Sequence, residues 1–356
     1  IAEKVSKSSK SSSKRNTMTD PPKNRNTFYT ILLALASFAL ALAIGEIGLR
    51  AINFEFRLFP TRIEFGWPDP VTLENDYQAD QDLLWVPETY YASIKQLRDT
   101  RPKLVFMGDS CTAWGLYDKL FGQLISGRNP GRELSYINTA VAGWSTYQGL
   151  RQFERDILPL APEVITIYFG WNDHWASFGV EDKAVGQFNK DRSQSAIALG
   201  ELRLIQLFNF FAIKLYQDEK QQRRPERVAP TDFAANLHEI VRIARSNNIQ
   251  PVLITAPTAH TVGDEPEYLA ERWLNNLDEL VPLHRRYAEI VRQVASDEEV
   301  HIIDLLAAFD RLPQQEVKDN YFETDGIHLT GEGHKVIALI LYQYFTRTGL
   351  LEQVMQ

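Results

Sequence analysis

The sequence predicts an α/β fold, in which a mostly parallel five-stranded sheet is covered by helices and is preceded by an N-terminal transmembrane helix. Two observations predict this class. Short apolar runs alternate with amphipathic stretches from residue 103 onward, and one long uncharged run lies near the start. Strands that alternate with helices form parallel pairs joined by crossovers. With 44% hydrophobic and 11% aromatic residues, the composition is that of a folded globular protein, not of a disordered chain or a multi-span membrane protein.

The net charge of −8 is distributed unevenly along the chain. Residues 1–27 carry seven Lys or Arg against Glu3 and Asp20, which gives +5 and leaves −13 for the other 329 residues. Nucleic-acid binding requires clustered cations that contact phosphates, so the acidic main part is not expected to bind nucleic acid. The Ser/Lys-rich composition of residues 1–27 predicts a disordered basic cytoplasmic tail, with Met18 as a candidate true start.

Residues 28–45 form an uncharged apolar run. As a helix, this run spans about 27 Å, close to the hydrocarbon thickness of a bilayer. Apolar character continues to residue 52, interrupted by Glu46 and Arg50, so we expect a transmembrane anchor over 28–52. The basic flank predicts that everything after the anchor lies outside the cytoplasm, in the periplasm or extracellular space. Two alternatives stay open: a signal peptide cleaved at Ala41-Leu42-Ala43, which would release a secreted form, and a buried helix of a soluble protein.

The remainder divides into a connector and a globular domain. Residues 53–100 contain four prolines, which break long helices, so we expect an irregular connector with short strands at most. From 101 to 356 the apolar runs predict strands at 103–107, 134–140, 164–169, 251–255 and 300–304. Amphipathic patterns predict helices at 117–126, 146–157, 282–295 and 331–348, and one that begins after Pro230. An insertion of about sixty residues, 174–230, contains an apolar stretch over 196–216 that suits either core or cap packing or a membrane-resting surface.

Candidate catalytic residues follow predicted strands or precede the last helix, at the edge where parallel sheets bind their ligands. They are Ser110, Gly143, Asn172, Asp325 and His328. A serine hydroxyl becomes an effective nucleophile when a histidine takes its proton, and a carboxylate three residues before that histidine can hold its other ring nitrogen. Acyl transfer also requires N–H donors directed at the developing oxyanion. The backbone of Ser110 and Gly143 and the side-chain amide of Asn172 are candidates for these donors.

These blocks resemble those of the SGNH/GDSL hydrolase family. In the family order they are Gly108-Asp109-Ser110, Gly143, Gly170-Trp171-Asn172-Asp173 and Asp325-Gly326-Ile327-His328. The resemblance covers about residues 103–348 and implies a flavodoxin-like three-layer α/β/α sandwich. It implies Ser110 as nucleophile, His328 as base, Asp325 as the acid that orients the base, and an oxyanion hole of Ser110, Gly143 and Asn172. It further implies an esterase, lipase, thioesterase or carbohydrate deacetylase that needs no metal or cofactor.

The resemblance and the anchor together predict a membrane-anchored serine hydrolase that cleaves an acyl or acetyl ester through an acyl-enzyme. A polysaccharide is the favoured carrier of that ester. An acyltransferase with the same triad and a catalytically idle binding domain in polysaccharide assembly are the alternatives. Trp144, Trp171 and Trp175 lie near the candidate site in sequence and suit either the core or stacking on a sugar ring.

Three residues near these motifs have simpler structural interpretations. Ser110 alone suits a helix N-cap as well as a nucleophile. Cys111, the only cysteine, excludes an intrachain disulfide and a Cys-rich zinc site, and is expected as a small residue at a helix start, with a reactive thiol as the alternative. His334 is expected to pack at the start of the last helix, not in the site.

Overall fold

The computed structural model of the chain describes residues 25–56, 77–97, 100–132, 134–177, 181–191, 199–220, 223–270 and 273–355. The predicted disordered tail lies outside these residues as far as residue 24. Much of the predicted connector, residues 57–76, also lies outside them.

The first helix, α1, covers Arg25–Ala51. Its segment Thr27–Ala51 is long and apolar enough to cross a membrane, by length and composition. Apolar side chains are exposed on every side of it up to Ile44. A helix that is apolar all round requires burial in protein or lipid, so a membrane anchor or a signal sequence accounts for it.

An antiparallel hairpin follows, formed by β1 (Tyr77–Asp80) and β2 (Leu84–Pro87). Trp85 of β2 is buried in the same apolar core as the strands of the central sheet. Its carbonyl oxygen accepts a hydrogen bond of 3.1 Å from the indole N–H of Trp144. The end of the predicted connector therefore contains the short strands that its sequence allows, and it packs against the globular part.

Five parallel strands form the central sheet, and each pairs in parallel with its neighbour. The strands are β3 (Leu104–Gly108), β4 (Tyr136–Asn138), β5 (Val164–Tyr168), β6 (Gln250–Ile254) and β7 (His301–Ile303). Their order across the sheet is β4-β3-β5-β6-β7. In chain order this is the 2-1-3-4-5 arrangement of flavodoxin-like folds, which confirms the predicted fold class. All residues of β3 and β5 are buried, as a sheet covered on both faces requires.

The remaining helices occupy the connections between strands and the end of the chain. They are α2 (Tyr90–Leu97), α3 (Ser110–Ala113), α4 (Tyr117–Arg128), α5 (Thr146–Gln152), α6 (Asp182–Asp191), α7 (Arg203–Lys220), α8 (Pro230–Ser246), α9 (Leu280–Asp297), α10 (Leu305–Phe309), α11 (Gln314–Glu316), α12 (Gly331–Thr348) and α13 (Leu350–Met355). Short 3₁₀ or π turns cover Phe153–Ile157, Leu158–Leu160, Glu267–Leu269, Leu277–Glu279 and Val317–Tyr321.

The helices form two packed groups. One group contains α4 and α12, and the other contains α8 with its neighbours α5 and α9. The chain moves one way across the sheet from β3 to β4 and the opposite way from β5 to β7. Because such crossovers are right-handed, the two groups lie on opposite faces of the sheet, which gives the three-layer sandwich.

Predicted and observed elements differ mainly at an edge strand. All five predicted strands of the sheet are present, but β4 covers 136–138 where 134–140 was expected. β4 has a partner only on its β3 side, and the side-chain oxygen of Asn138 then accepts from the Ala140 N–H at 3.1 Å. The Thr139 and Val141 N–H groups still donate to the Phe106 and Gly108 carbonyl oxygens of β3, at 2.9 and 3.1 Å, so contact with β3 continues beyond the regular strand. Helix α2 lies within the predicted connector 53–100, so the expectation of short strands at most was wrong there. The last proline of that stretch, Pro87, precedes α2 and does not interrupt it.

Candidate active site

The candidate residues converge where the order of the sheet reverses. The chain leaves β3 toward β4 on one side and later continues from β5 on the other side of β3. Connections diverge at such a point and leave a crevice beyond the strand ends. Ser110 lies two residues after the end of β3, Gly143 lies after β4, and Asn172 lies after β5. Asp325 and His328 lie in the loop that precedes α12.

Ser110 is the first residue of α3, and Asp109 is the residue that caps this helix. The Asp109 carboxylate accepts the Cys111 N–H at 3.0 Å, so the interpretation of Ser110 as the N-cap was wrong. Burial raises the pKa of Asp109 to about 6, although the hydrogen bond from Cys111 and the charge of His328 oppose the rise. The serine hydroxyl is consequently left free of a capping role.

Ser110, His328 and Asp325 form a hydrogen-bonded series. His328 Nε2 lies 2.9 Å from Ser110 Oγ, and His328 Nδ1 lies 2.5 Å from Asp325 Oδ2. Burial alone would raise the pKa of Asp325, but the hydrogen bond from His328, the charge on that ring and two backbone N–H groups hold the pKa below its ordinary value. An ionised Asp325 accepts a hydrogen bond from Nδ1–H, so the ring proton stays on Nδ1. The Nε2 atom is then left as the acceptor that faces the serine hydroxyl.

A tight turn brings Asp325 and His328 together. The second carboxylate oxygen of Asp325 accepts the backbone N–H groups of Ile327 and His328, each at 2.9 Å. Gly326, between them, has a φ of +68°, and a Cβ there would lie 2.5 Å from a ring carbon of His260. Glycine satisfies both the positive φ and the close approach. With a spacing of three residues, the Asp325 carboxylate therefore fixes both its own loop and the imidazole ring of His328.

The three candidate oxyanion donors lie in different loops. The N–H groups of Ser110 and Gly143 donate to no other protein group in the described part of the chain. Gly143 is buried and has a φ of +79°. The side-chain nitrogen of Asn172 donates to the Asp109 carboxylate at 3.3 Å, which orients the amide while leaving its second N–H for another acceptor.

A buried ion pair that the sequence did not indicate supports the Gly143 loop. Arg227 is fully buried, and its guanidinium contacts the Asp182 carboxylate at 3.1 and 2.8 Å. Its remaining terminal nitrogen donates to the Gly143 carbonyl oxygen at 2.8 Å. The Ser145 hydroxyl donates to the same carboxylate at 2.7 Å. In the sequence, Arg227 ends the polar run 217–227, and polar runs are typical of solvent-exposed loops. Nothing in the sequence therefore indicated that Arg227 is buried.

A sequence model of the GDSL-like lipase/acylhydrolase family matches residues 106–336, more than half of the chain. The chain belongs to this family. It is accordingly an ester-hydrolysing enzyme, as the resemblance in the motif blocks predicted. No curated protein matches the chain.

Several solved structures of lipases and esterases are similar to this chain. A lipase/acylhydrolase from Enterococcus faecalis has 18% identity and a TM-score of 0.45, with 69% of this chain and 96% of that chain covered. A GDSL-like lipase from Bacteroides thetaiotaomicron has 16% identity and a TM-score of 0.45, with 73% and 98% covered. An acetyl xylan esterase from Geobacillus stearothermophilus has 17% identity and a TM-score of 0.43, with 71% and 94% covered.

The tryptophans beside the candidate catalytic loops of this GDSL protein are core residues. Trp144, Trp171 and Trp175 are buried, so the alternative in which they stack on a sugar ring was wrong. The residue that sequence reasoning missed is Trp114, the C-cap of α3, which is 46% exposed. Its ring centroid lies 5.1 Å from that of His328. Its place four residues after the serine was the only signal for it.

Cys111 and His334 are both structural. Burial raises the pKa of the Cys111 thiol well above its ordinary value, so the reactive alternative was wrong, because the thiolate is the reactive form. His334 packs at the start of α12 as predicted, stacked on Tyr117 with 6.1 Å between ring centroids. Among the residues that the structure describes, no group of three or more His, Cys, Asp or Glu is arranged to hold a metal ion.

We expect Arg227→Met to lower the free energy of unfolding by about 3–5 kcal/mol, because it leaves the Asp182 carboxylate buried without its cation. Urea unfolding monitored by tryptophan fluorescence measures the change. Arg242→Met is the matched control: its ion pair with Glu239 is exposed and should contribute less than about 1 kcal/mol. Equal effects of the two substitutions would show that the buried pair has no special structural weight.

We expect His334→Phe to make the protein less sensitive to acid. Burial lowers the pKa of His334 to about 4. The unfolded chain binds this proton below about pH 6.5 while the folded protein does not, so stability is lost as the pH falls through this window. Between pH 7 and pH 5 the wild type should lose about 2 kcal/mol more than the variant in the free energy of unfolding. Parallel stability curves for the two proteins over this pH range would contradict the assignment.

Proposed function

We propose that the chain is a serine hydrolase whose nucleophile is Ser110, with His328 as general base and Asp325 as the acid that orients the base. The observation that carries this proposal is the series of hydrogen bonds from Ser110 Oγ through His328 to Asp325, at 2.9 and 2.5 Å. All three groups are partly exposed, so a substrate can reach them. A complete series of this kind favours an active enzyme over an idle binding domain.

In the first half-reaction, Ser110 Oγ attacks the ester carbonyl carbon while its proton passes to His328 Nε2. Asp325 stabilises the imidazolium that forms. The negative charge that develops on the carbonyl oxygen is met by the N–H groups of Ser110 and Gly143 and by the Asn172 amide. When the tetrahedral intermediate collapses, the bond to the alcohol oxygen breaks and His328 returns the proton to that alcohol, which leaves an acyl-enzyme.

In the second half-reaction, a water molecule replaces the alcohol. His328 takes a proton from the water, whose oxygen attacks the acyl carbon. Collapse of the second intermediate releases the carboxylic acid and restores the Ser110 hydroxyl with the proton from His328. A sugar hydroxyl in place of water would make the protein an acyltransferase, and analysis of the products with and without an acceptor polysaccharide distinguishes the two reactions.

We propose an acylated carbohydrate as the substrate. Trp114 supports this, because a large exposed indole beside His328 offers a flat apolar surface at the point where an ester must enter. Aromatic faces of this kind contribute apolar contact with a defined geometry. The acyl group would lie over Ser110 while the sugar that carries it contacts the indole.

We propose that α1 is a retained anchor that holds the hydrolase on the outer side of the membrane. The basic residues before α1 favour a cytoplasmic N-terminus. The carboxylate of Glu46 accepts the backbone N–H groups of Arg203 and Leu204, each at 3.0 Å. The end of α1 therefore takes part in the folded structure, on the side of Ala41-Leu42-Ala43 that cleavage would leave on the enzyme. Retention is favoured by length, because the apolar segment Thr27–Ala51 has 25 residues and the apolar region of a cleaved signal peptide is shorter.

The same proposal divides the chain by role. Residues 1–27 are the cytoplasmic tail, 28–52 the anchor and 53–100 the connector. The hydrolase domain is 101–356, with its insertion at 174–230.

We expect Ser110→Ala and His328→Ala each to lower kcat for a short soluble acyl ester at least about 10³-fold, and the double variant to lose little more, because the two residues act as a unit. Ser126→Ala is the control, since its hydroxyl donates to the Gly122 carbonyl oxygen within α4. A spectrophotometric ester assay gives kcat, and a fluorophosphonate probe should label the wild type and not Ser110→Ala. Undiminished turnover by Ser110→Ala would remove the proposed nucleophile.

We expect Trp114→Ala to raise KM for an acetylated oligosaccharide about fivefold to tenfold, since it removes an aromatic contact worth about 1 kcal/mol. The KM for a short alkyl acetate should rise less, and Trp114→Phe should restore most of the affinity for the oligosaccharide. Steady-state kinetics on both substrates provide the comparison. An equal change in KM for both esters would indicate that the indole acts on His328 and not on a sugar.

A further inference from the structure

Helix α7, within the insertion, presents a row of large apolar side chains to the outside. Phe208 is 71% exposed and Leu215 is 63% exposed. Together with Ile205 and Phe211 they recur at intervals of three or four residues, which places them along one side of the helix. Exposed apolar rows of this size are unusual on a surface that meets only water.

The other side of α7 is already covered. Phe210 packs edge-on against Phe54 and Phe56, with ring centroids 6.3 and 5.3 Å apart. The Gln206 side chain is buried and accepts the Phe56 N–H at 3.1 Å. The segment that follows α1 therefore packs against one side of α7, and the exposed apolar row lies on the opposite side of the helix.

The start of α7 is fixed to the end of α1. Glu46 on α1 accepts the N–H groups of Arg203 and Leu204, and a carboxylate at this position stabilises the N-terminus of a helix. The Leu204 side chain also lies 3.3 Å from the place where a Cβ on Gly45 would be. Arg50, one turn later on α1, donates to the Glu201 carbonyl oxygen at 3.3 Å.

Among the residues that the structure describes, the two helices meet near the end of α1. Gly45, Glu46 and Leu49 are half-buried, whereas α1 is exposed throughout 27–44. Helix α7 therefore does not run back along α1 but leaves it at the level where the uncharged run 28–45 ends. If that run fills the hydrocarbon layer, this level is the boundary between hydrocarbon and headgroups.

We propose that α7 lies in the plane of the membrane interface, with Phe208, Phe211 and Leu215 inserted among the lipids of the bilayer that α1 crosses. Amphipathic helices bind bilayers in this orientation through their apolar side. The inference rests on the proposed membrane anchor and extends it. Because α7 lies between β5 and β6 in the chain, the hydrolase domain is attached to the bilayer at two positions in its sequence, before β1 and within the insertion.

Site-directed labelling of the full chain in phosphatidylcholine/phosphatidylglycerol vesicles tests this proposal. Phe211→Cys, Leu35→Cys and Leu339→Cys each carry one environment-sensitive fluorophore, and the wild type, whose Cys111 is buried, gives the background. Leu35 reports on α1 and Leu339 on an exposed position of α12. Quenching by nitroxide-labelled lipid is compared with quenching by aqueous iodide.

We expect labels at 35 and 211 to be quenched severalfold more by the lipid nitroxide than by iodide, and the label at 339 to show the reverse. A label at 211 that is quenched mainly by iodide, with the label at 35 in lipid, would overturn the interfacial helix and leave the anchor standing. A label at 35 that is quenched mainly by iodide would overturn the anchor, and this inference with it.

A charge on the exposed row gives an independent measurement. In the chain labelled at 211, Phe208→Glu should increase quenching by iodide at least about twofold, because an ionised side chain is expelled from the interface. Leu339→Glu is the matched control, since it adds the same charge at an exposed leucine on α12, and it should leave the quenching at 211 unchanged. Identical behaviour of the two variants would overturn the proposed orientation of α7.

Discussion

The hydrogen bond between Ser110 and His328 is the interaction on which the arrangement of the candidate site depends. It joins residues 218 positions apart in the chain. Ser110 begins a short helix directly after a fully buried strand, and His328 lies in a turn that the Asp325 carboxylate holds through three of its hydrogen bonds. Local structure therefore fixes the position of each partner. The packing of the parallel sheet and α12 brings the two side chains within hydrogen-bonding distance of each other.

Buried carboxylates hold the loops around this hydrogen bond. Asp109 connects the serine loop to the loop after β5, and Asp182 binds the Arg227 guanidinium that fixes the Gly143 carbonyl. Asp173 accepts the N–H and hydroxyl of the first residue of α5, and burial raises its pKa to about 7. Burial of such groups costs free energy unless they are hydrogen-bonded. Here the hydrogen bonds of Asp109, Asp173 and Asp182 offset that cost and fix the loops that carry the candidate oxyanion donors.

The insertion is in contact with the apolar helix α1, the proposed anchor. The sheet presents its site at one edge, while the insertion between β5 and β6 contains the helix that contacts the end of α1. An ester hydrolase held in this way would work close to a membrane surface.

Much of this protein followed from its sequence, because the relevant signals are local. Apolar runs located all five sheet strands, and the serine, glycine, asparagine and histidine blocks identified the candidate residues that the structure brings together. Local patterns could not reveal the buried Arg227–Asp182 pair, the burial of Trp144 and Trp171, or the exposure of Trp114 beside His328. Burial and pairing depend on which segments pack against a residue, and segments distant in the chain decide that. The sequence determined which residues were available for chemistry, and tertiary packing decided which of them face the substrate.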